Sequence, residues 1–230
     1  MEFVYRYSEN PLNAMKEFYL YARSLMGVEL NHVVLNMDGF GGQYREIVDW
    51  LRTDSTDCSV LRVKGNNKRL EELQYVLDML KFKNGLKVFV NTIEKLPLRI
   101  PDHIEELGIT YGSWITLEYI MSLNMRKLSF LDTHLTNQEI NEFYKSWIEL
   151  KCHQNLESFE INLTNREDFV AIGLRDIPYE MGPTIHIHAY NTEGGSFEVT
   201  RNDGLTAFIC VIEYQSKFIA IMYTQLSKVA

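Results

Sequence analysis

Residues 111–163 read YGSWITLEYIMSLNMRKLSFLDTHLTNQEINEFYKSWIELKCHQNLESFEINL. Two short strand-like runs, Lys127–Leu131 and Glu157–Leu163, flank a helix that carries its own start signal. Thr136 and Glu139 form a T-x-x-E capping box, in which each side chain satisfies a backbone amide of the first turn. After the box, Ile140, Phe143, Tyr144, Trp147 and Ile148 fall at i, i+3, i+4, i+7 and i+8, one continuous apolar stripe. The spacing predicts one unit of strand, turn, helix and strand.

Working outward, the same order returns. NHVVLNMDGF is a short apolar strand that breaks at Gly39, Gly41 and Gly42 before a helix with Tyr44, Ile47, Val48 and Leu51 on one side. CSVLRVKG is a second strand, followed by a helix with Leu70, Leu73, Leu77 and Leu80 as its stripe, and GLKVFVNT is a third. Aligning the inward pairs Leu35/Met37, Leu61/Val63, Val88/Val90, Leu107/Ile109, Leu128/Phe130 and Phe159/Ile161 gives steps of 26, 27, 19, 21 and 31 residues. These bracket the roughly 20–29 residues of a leucine-rich repeat, where each unit supplies a strand and a helix. The pattern predicts an α/β fold, an irregular leucine-rich-repeat-like strand–helix array of about six units over 28–175. A helix over residues 10–26, with Pro11 in its first turn, is expected to cap the array from within 1–27.

Beyond Leu163 the texture changes. A helical run over 166–174 leads through Pro178 and Gly182-Pro183 to four strand candidates, Thr184–Asn191, Ser196–Arg201, Leu205–Glu213 and Lys217–Thr224. Hairpin-length turns at Glu193-Gly194-Gly195, Asn202-Asp203-Gly204 and Tyr214-Gln215-Ser216 link them, so 176–230 reads as an antiparallel β-meander closing the array. The third strand is apolar on both faces and is expected to be central.

The totals narrow the function classes. With a net charge of −8 there is no global basic field to collect phosphates, so nucleic acid is not an expected partner. Cys58, Cys152 and Cys210 are odd in number and far apart, which predicts neither a disulfide framework nor a structural zinc site. No apolar stretch approaches the ~20 residues of a membrane span, and the N-terminus does not read as a signal peptide. An intracellular, non-membrane protein without cofactor is expected.

Three segments, GSWITLEYIMSLN, LSFLDTHLTNQEINEFYKSWI followed by LESFEINL, and GGSFEVTRNDGLTAFI, stand in an order and at distances that resemble the type 2 F-box-associated domain of nematode F-box proteins. The resemblance covers roughly residues 35–224 and treats 28–230 as one such domain. It implies a substrate-recognition module of a Skp–cullin–F-box ubiquitin ligase. No N-terminal segment resembles an F-box, and the Leu-Pro pair, Leu96-Pro97, lies deep in the repeat region. A Skp adaptor and cullin are therefore expected as partners only if an F-box is supplied elsewhere. An F-box-less decoy that binds a protein without ligase recruitment is the alternative.

Period-2 alternation sends Leu35, Leu61, Val88, Leu128 and Phe159 inward and turns Asn36, Arg62, Phe89, Leu131 and Glu160 toward a face where a protein partner is expected to bind. Phe89 and Leu131 beside Arg62 have the makeup of an interaction anchor. Structural roles are expected for Trp114, Thr136, Asn141 and Trp147, and for Arg201 with Asp203 and Gly204 at a tight turn. His186 and His188 share a strand face, but no third ligand lies near them in sequence, so no metal is expected. No nucleophile or metalloenzyme motif occurs, and the chain is not expected to be an enzyme. The rival reading is a phosphate- or nucleotide-binding enzyme at the Gly39–Gly42 turn, which lacks both P-loop and dinucleotide spacing.

Overall fold

The computed structural model describes residues 10–27, 30–53, 58–95, 97–184 and 195–224. The chain divides into two compact units, Met1–Ile93 and Glu94–Ala230.

In the first unit, α1 (Pro11–Met26) starts where the Asn10 side chain accepts from the Asn13 amide and Pro11 occupies the first turn. Little of this helix is sunk into a core: Leu12 is buried, whereas Phe18 and Leu25 are 68% and 65% exposed. The helix instead leans on α2 (Tyr44–Thr53) through Tyr19, whose ring meets Trp50 edge-on at 5.4 Å. Strands β1 (His32–Asn36), β2 (Cys58–Lys68) and β3 (Phe82–Thr92) are parallel in that order, with α2 and α3 (Leu70–Met79) as the crossovers. The α2 stripe of Tyr44, Ile47, Val48 and Leu51 is buried, as the sequence predicts. The register differs from the sequence alignment by two residues: Leu35 pairs with Val63 and Leu61 with Leu86. A shift by two keeps every side chain on its face, so the apolar pattern alone could not fix it.

In the second unit, β4 (Glu106–Ile109), β5 (Lys127–Phe130) and β6 (Ser158–Asn162) are parallel, joined through α4 (Leu117–Ser122) and α5 (Asn137–Ile148). Here the expected register holds, with Leu107, Leu128 and Phe159 in one row. The run expected as a helix over 166–174 is a π-helical turn at Phe169–Gly173. β7 (Glu180–Gly182), β8 (Ser196–Thr200), β9 (Thr206–Tyr214) and β10 (Lys217–Tyr223) form the antiparallel meander. β10 takes the free edge of β6, so the order across the unit is β4-β5-β6-β10-β9-β8-β7 and the doubly apolar β9 is interior. The meander's first strand lies earlier than the Thr184–Asn191 run; residues 185–191 of that run, with His186 and His188, lie outside the described residues. The chain is thus a mixed α/β protein of parallel strand–helix units followed by an antiparallel meander.

Aromatic packing seats α5 on its sheet. Phe143 stacks on Phe159 at 4.2 Å, and Tyr144 meets the same ring edge-on at 6.4 Å. At the carboxyl ends of the strands the loops are tied laterally. Asn162 Oδ1 accepts from the Thr133 amide and hydroxyl at 2.7 and 2.9 Å, and its Nδ2 donates to the Thr133 carbonyl at 3.1 Å. One buried side chain thereby satisfies a backbone amide and carbonyl that no strand partner reaches. Gly112 completes this layer by donating its amide to the Leu131 carbonyl at 2.9 Å. A Cβ there would sit 2.8 Å from that oxygen and 2.9 Å from Ile115 Cδ1. Gly112→Ala is expected to lower stability by about 1–3 kcal/mol, the usual cost of overpacking. A thermal melt unchanged from the parent would contradict this.

Candidate protein-interaction surfaces

The alternation that buries Leu35, Leu61, Val63 and Val88 in the first unit turns the intervening residues to the opposite sheet face. Parallel pairing lines them up in two rows, Val34–Arg62–Lys87 and Asn36–Lys64–Phe89. Asn36 and Arg62 are exposed, and Phe89 is half-buried with Lys64 Nζ 5.9 Å from its ring centroid. Asn36 has a second role, its Oδ1 accepting from the Asp38 amide at 3.0 Å.

Leu131 and Glu160 belong to the second unit. Leu131 is half-buried against Cys210, Ile212, Ile219 and Ile221. Glu160 stands in a row between Ser129 and Ile221, with Cys210 next along it. Burial, with the Glu160 carboxylate nearby, pushes the Cys210 thiol up to about 11. The apolar surroundings of these two positions come from β9 and β10, which extend the sheet beyond β6.

The motif residues form a framework. Thr136 and Glu139 make the reciprocal capping box of α5. Asn141, on the same helix, is buried and donates to the Gly173 and Arg175 carbonyls at 3.1 and 2.9 Å, fixing the π-helical turn. Trp114 is half-buried and edge-on to Tyr119 at 4.9 Å. Arg201, 7% exposed, donates from Nε and Nη2 to the Asp203 carboxylate at 2.9 and 2.7 Å and from Nη1 to the Gln154 carbonyl at 2.8 Å. Its guanidinium also lies 5.2 Å from the Trp147 ring centroid. Gly204, in the left-handed region at φ 90°, lets the turn close so tightly. The Arg201 fork, with the Leu205 amide, holds the Asp203 carboxyl down to about 2.

A polar cleft of about 640 Å³ opens at the amino ends of β4, β5 and β6. Its lining includes Asp102, Glu105, Arg126, Gln154, Glu157 and Arg201. Arg126 donates to Glu157 and lies 3.5 Å from Glu105. Sequence reasoning missed this cluster. The available signal was positional, since Arg126 and Glu157 each stand one residue before the paired positions Lys127 and Ser158.

The loop that supplies Gln154 is anchored by His153, which is buried and carries a left-handed φ of 47°. Its Nε2 lies 2.9 Å from the Ile120 carbonyl, so that nitrogen carries the proton and Nδ1 is left without a partner. Burial lowers the imidazole pKa, against the Ile120 carbonyl, which favours the protonated ring. Because the folded pKa lies below the unfolded value near ~6.5, the unfolded chain takes up the proton first. The His153 contribution is complete above that value and is lost as pH falls below it. Denaturant unfolding at pH 5 and 7 should show a stability loss at the lower pH that shrinks in His153→Gln; an equal loss in both chains would count against it.

At the Gly39–Gly42 turn, the Gly39 and Gly42 amides donate to the Asn36 and Gly39 carbonyls, both at 3.1 Å. The Asp38 carboxylate stands beside them, 2.7 Å from Lys68 Nζ. Two of the turn's amides are thus engaged within it, beside the Asp38–Lys68 ion pair.

Among the described residues no group of three or more His, Cys, Asp or Glu side chains could hold a metal ion, and no helix is long and apolar enough to cross a membrane.

A profile of one protein family was found to match the segment that holds the capped helix and most of the cleft lining. The match is to the F-box associated family, over residues 96–161. The matched segment runs from residue 96, ahead of β4, to the penultimate residue of β6, so it contains Trp114, the capping box, Asn141 and Trp147. Searches of the curated proteins and of the solved structures returned no match.

Proposed function

We propose that the chain is a non-enzymatic protein-interaction module, working in the manner of the substrate-recognition part of a Skp–cullin–F-box ubiquitin ligase. The F-box associated match over residues 96–161 carries this reading. The parallel strand–helix units add support, because a leucine-rich-like array of such units offers a rigid sheet face between loops, the form in which repeat proteins meet their partners. Under this reading the outward positions Asn36, Arg62 and Phe89, and separately Leu131 and Glu160, are the partner-binding candidates.

Affinity purification of the full chain with mass spectrometry tests it. Skp and cullin co-purifying with a partner support the ligase assignment. A partner recovered without them leaves the interaction reading intact and makes the chain a decoy or scaffold. Recovery of no protein partner, together with calorimetric binding of a nucleotide, would replace the reading by the phosphate-binding one.

A further inference from the structure

The chain carries a net charge of −8, yet the outward sheet face of the first unit has the opposite sign. Its two rows, Val34–Arg62–Lys87 and Asn36–Lys64–Phe89, contain three cations and no carboxylate. Arg62 and Lys64 are exposed, and Val34 is 56% exposed between them and the sheet edge. On the reverse face Leu61, Val63, Leu86 and Val88 are at most 1% exposed, which fixes the backbone that presents the rows. The backbone beneath these cations is already ordered, so binding an anionic partner orders only their side chains.

The spacing identifies the shape of that partner. Arg62 and Lys64 are two residues apart on one strand, a distance of roughly 6.6 Å, which is also the repeat of same-side residues in any extended peptide. We propose that this face docks an extended acidic segment of the protein partner, with carboxylates at alternate positions meeting Arg62 and Lys64. The proposal rests on the protein-interaction reading and gives the partner a chemistry. A single-stranded nucleic acid would also seek cations, but it needs open aromatic faces for base stacking. Phe89 is the aromatic residue of the two rows, and it is half-buried beside Lys64.

Fluorescence anisotropy on the full chain tests the proposal, with a labelled peptide of alternating glutamate and leucine as the probe. A lysine–leucine peptide and a single-stranded oligonucleotide serve as comparisons. The acidic peptide should bind, the basic one should not, and affinity should fall as salt is raised. The exposed pair Arg62→Glu/Lys64→Glu should weaken binding at least about tenfold with an unchanged melting curve. Tighter binding of the oligonucleotide, or an affinity indifferent to the charge reversal, overturns it. Failure here remains distinct from failure of the broader reading: a partner captured equally by the parent and the charge-reversed chain retires the acidic-segment docking alone, whereas no partner for either chain removes both.

Discussion

Trp147→Ala should remove about 3–5 kcal/mol of stability, the usual cost of truncating a large buried aromatic. The side chain is 0% exposed and sits on the stripe that seats α5, next to the Phe143–Phe159 stack. A domain of ordinary stability, about 5–15 kcal/mol, has little room for such a loss. The indole Nε1 has no hydrogen-bond partner, which separates two components of the effect. Trp147→Phe keeps much of the apolar volume and deletes the orphaned donor, so part of the cavity cost is returned as relief of an unmet desolvation penalty. The phenylalanine variant should therefore cost less than half of the alanine loss. Urea unfolding with an unchanged m-value is the suitable measurement. A loss below about 1 kcal/mol for Trp147→Ala would mean that the helix is not held through this residue.

What could be read from the sequence follows the reach of its signals. The α5 stripe and its capping box involve residues within two turns of each other, and both stand as the pattern predicts. Inward pairs such as Leu128/Phe130 and Phe159/Ile161 are likewise buried, because period-2 alternation decides the face of a strand residue locally. Register between strands is a different quantity. It depends on which rung meets which, and the two-residue slip at β1–β3 left the burial pattern untouched. The interaction face shows the same limit. Asn36, Arg62 and Phe89 fall on one face of one unit because alternation alone puts them there. Leu131 is half-buried because strands some 80 residues later in the chain bring Cys210, Ile212, Ile219 and Ile221 to it, a contact no local period encodes. The cleft at Arg126 and Glu157 was hidden for a similar reason: lone charges before strands become neighbours only through parallel pairing.

Arg201 shows long-range placement giving a local motif its energetic weight, and Arg201→Ala is expected to cost about 2–4 kcal/mol. The sequence pointed to a tight turn with Asp203-Gly204, a contact within three residues. The structure adds the Gln154 carbonyl and the Trp147 ring, which join the β8–β9 turn to α5 and to the loop after it. The Asn202 amide, donating to the Ile148 carbonyl at 3.0 Å, reinforces the same junction. Loss of the donor to Gln154 accounts for about 1–3 kcal/mol and loss of the cation over the indole for about 1. The pair with Asp203 adds little, because that carboxylate is open to solvent and water replaces the arginine. Arg201→Lys should recover under half of the loss, since a compact ammonium cannot donate to the Gln154 carbonyl while lying flat on the Trp147 ring. The double variant Trp147→Ala/Arg201→Ala should lose less than the sum of the single losses, because each substitution already breaks the shared contact. Acid unfolding gives an independent check on Asp203. Its folded pKa is below the unfolded carboxylate value near ~3.9, so the pair's contribution is present above that value and disappears as pH falls toward about 2. Arg201→Ala should flatten this part of the acid profile; an acid limb that stays equally steep would show that the fork on Asp203 is not what depresses it.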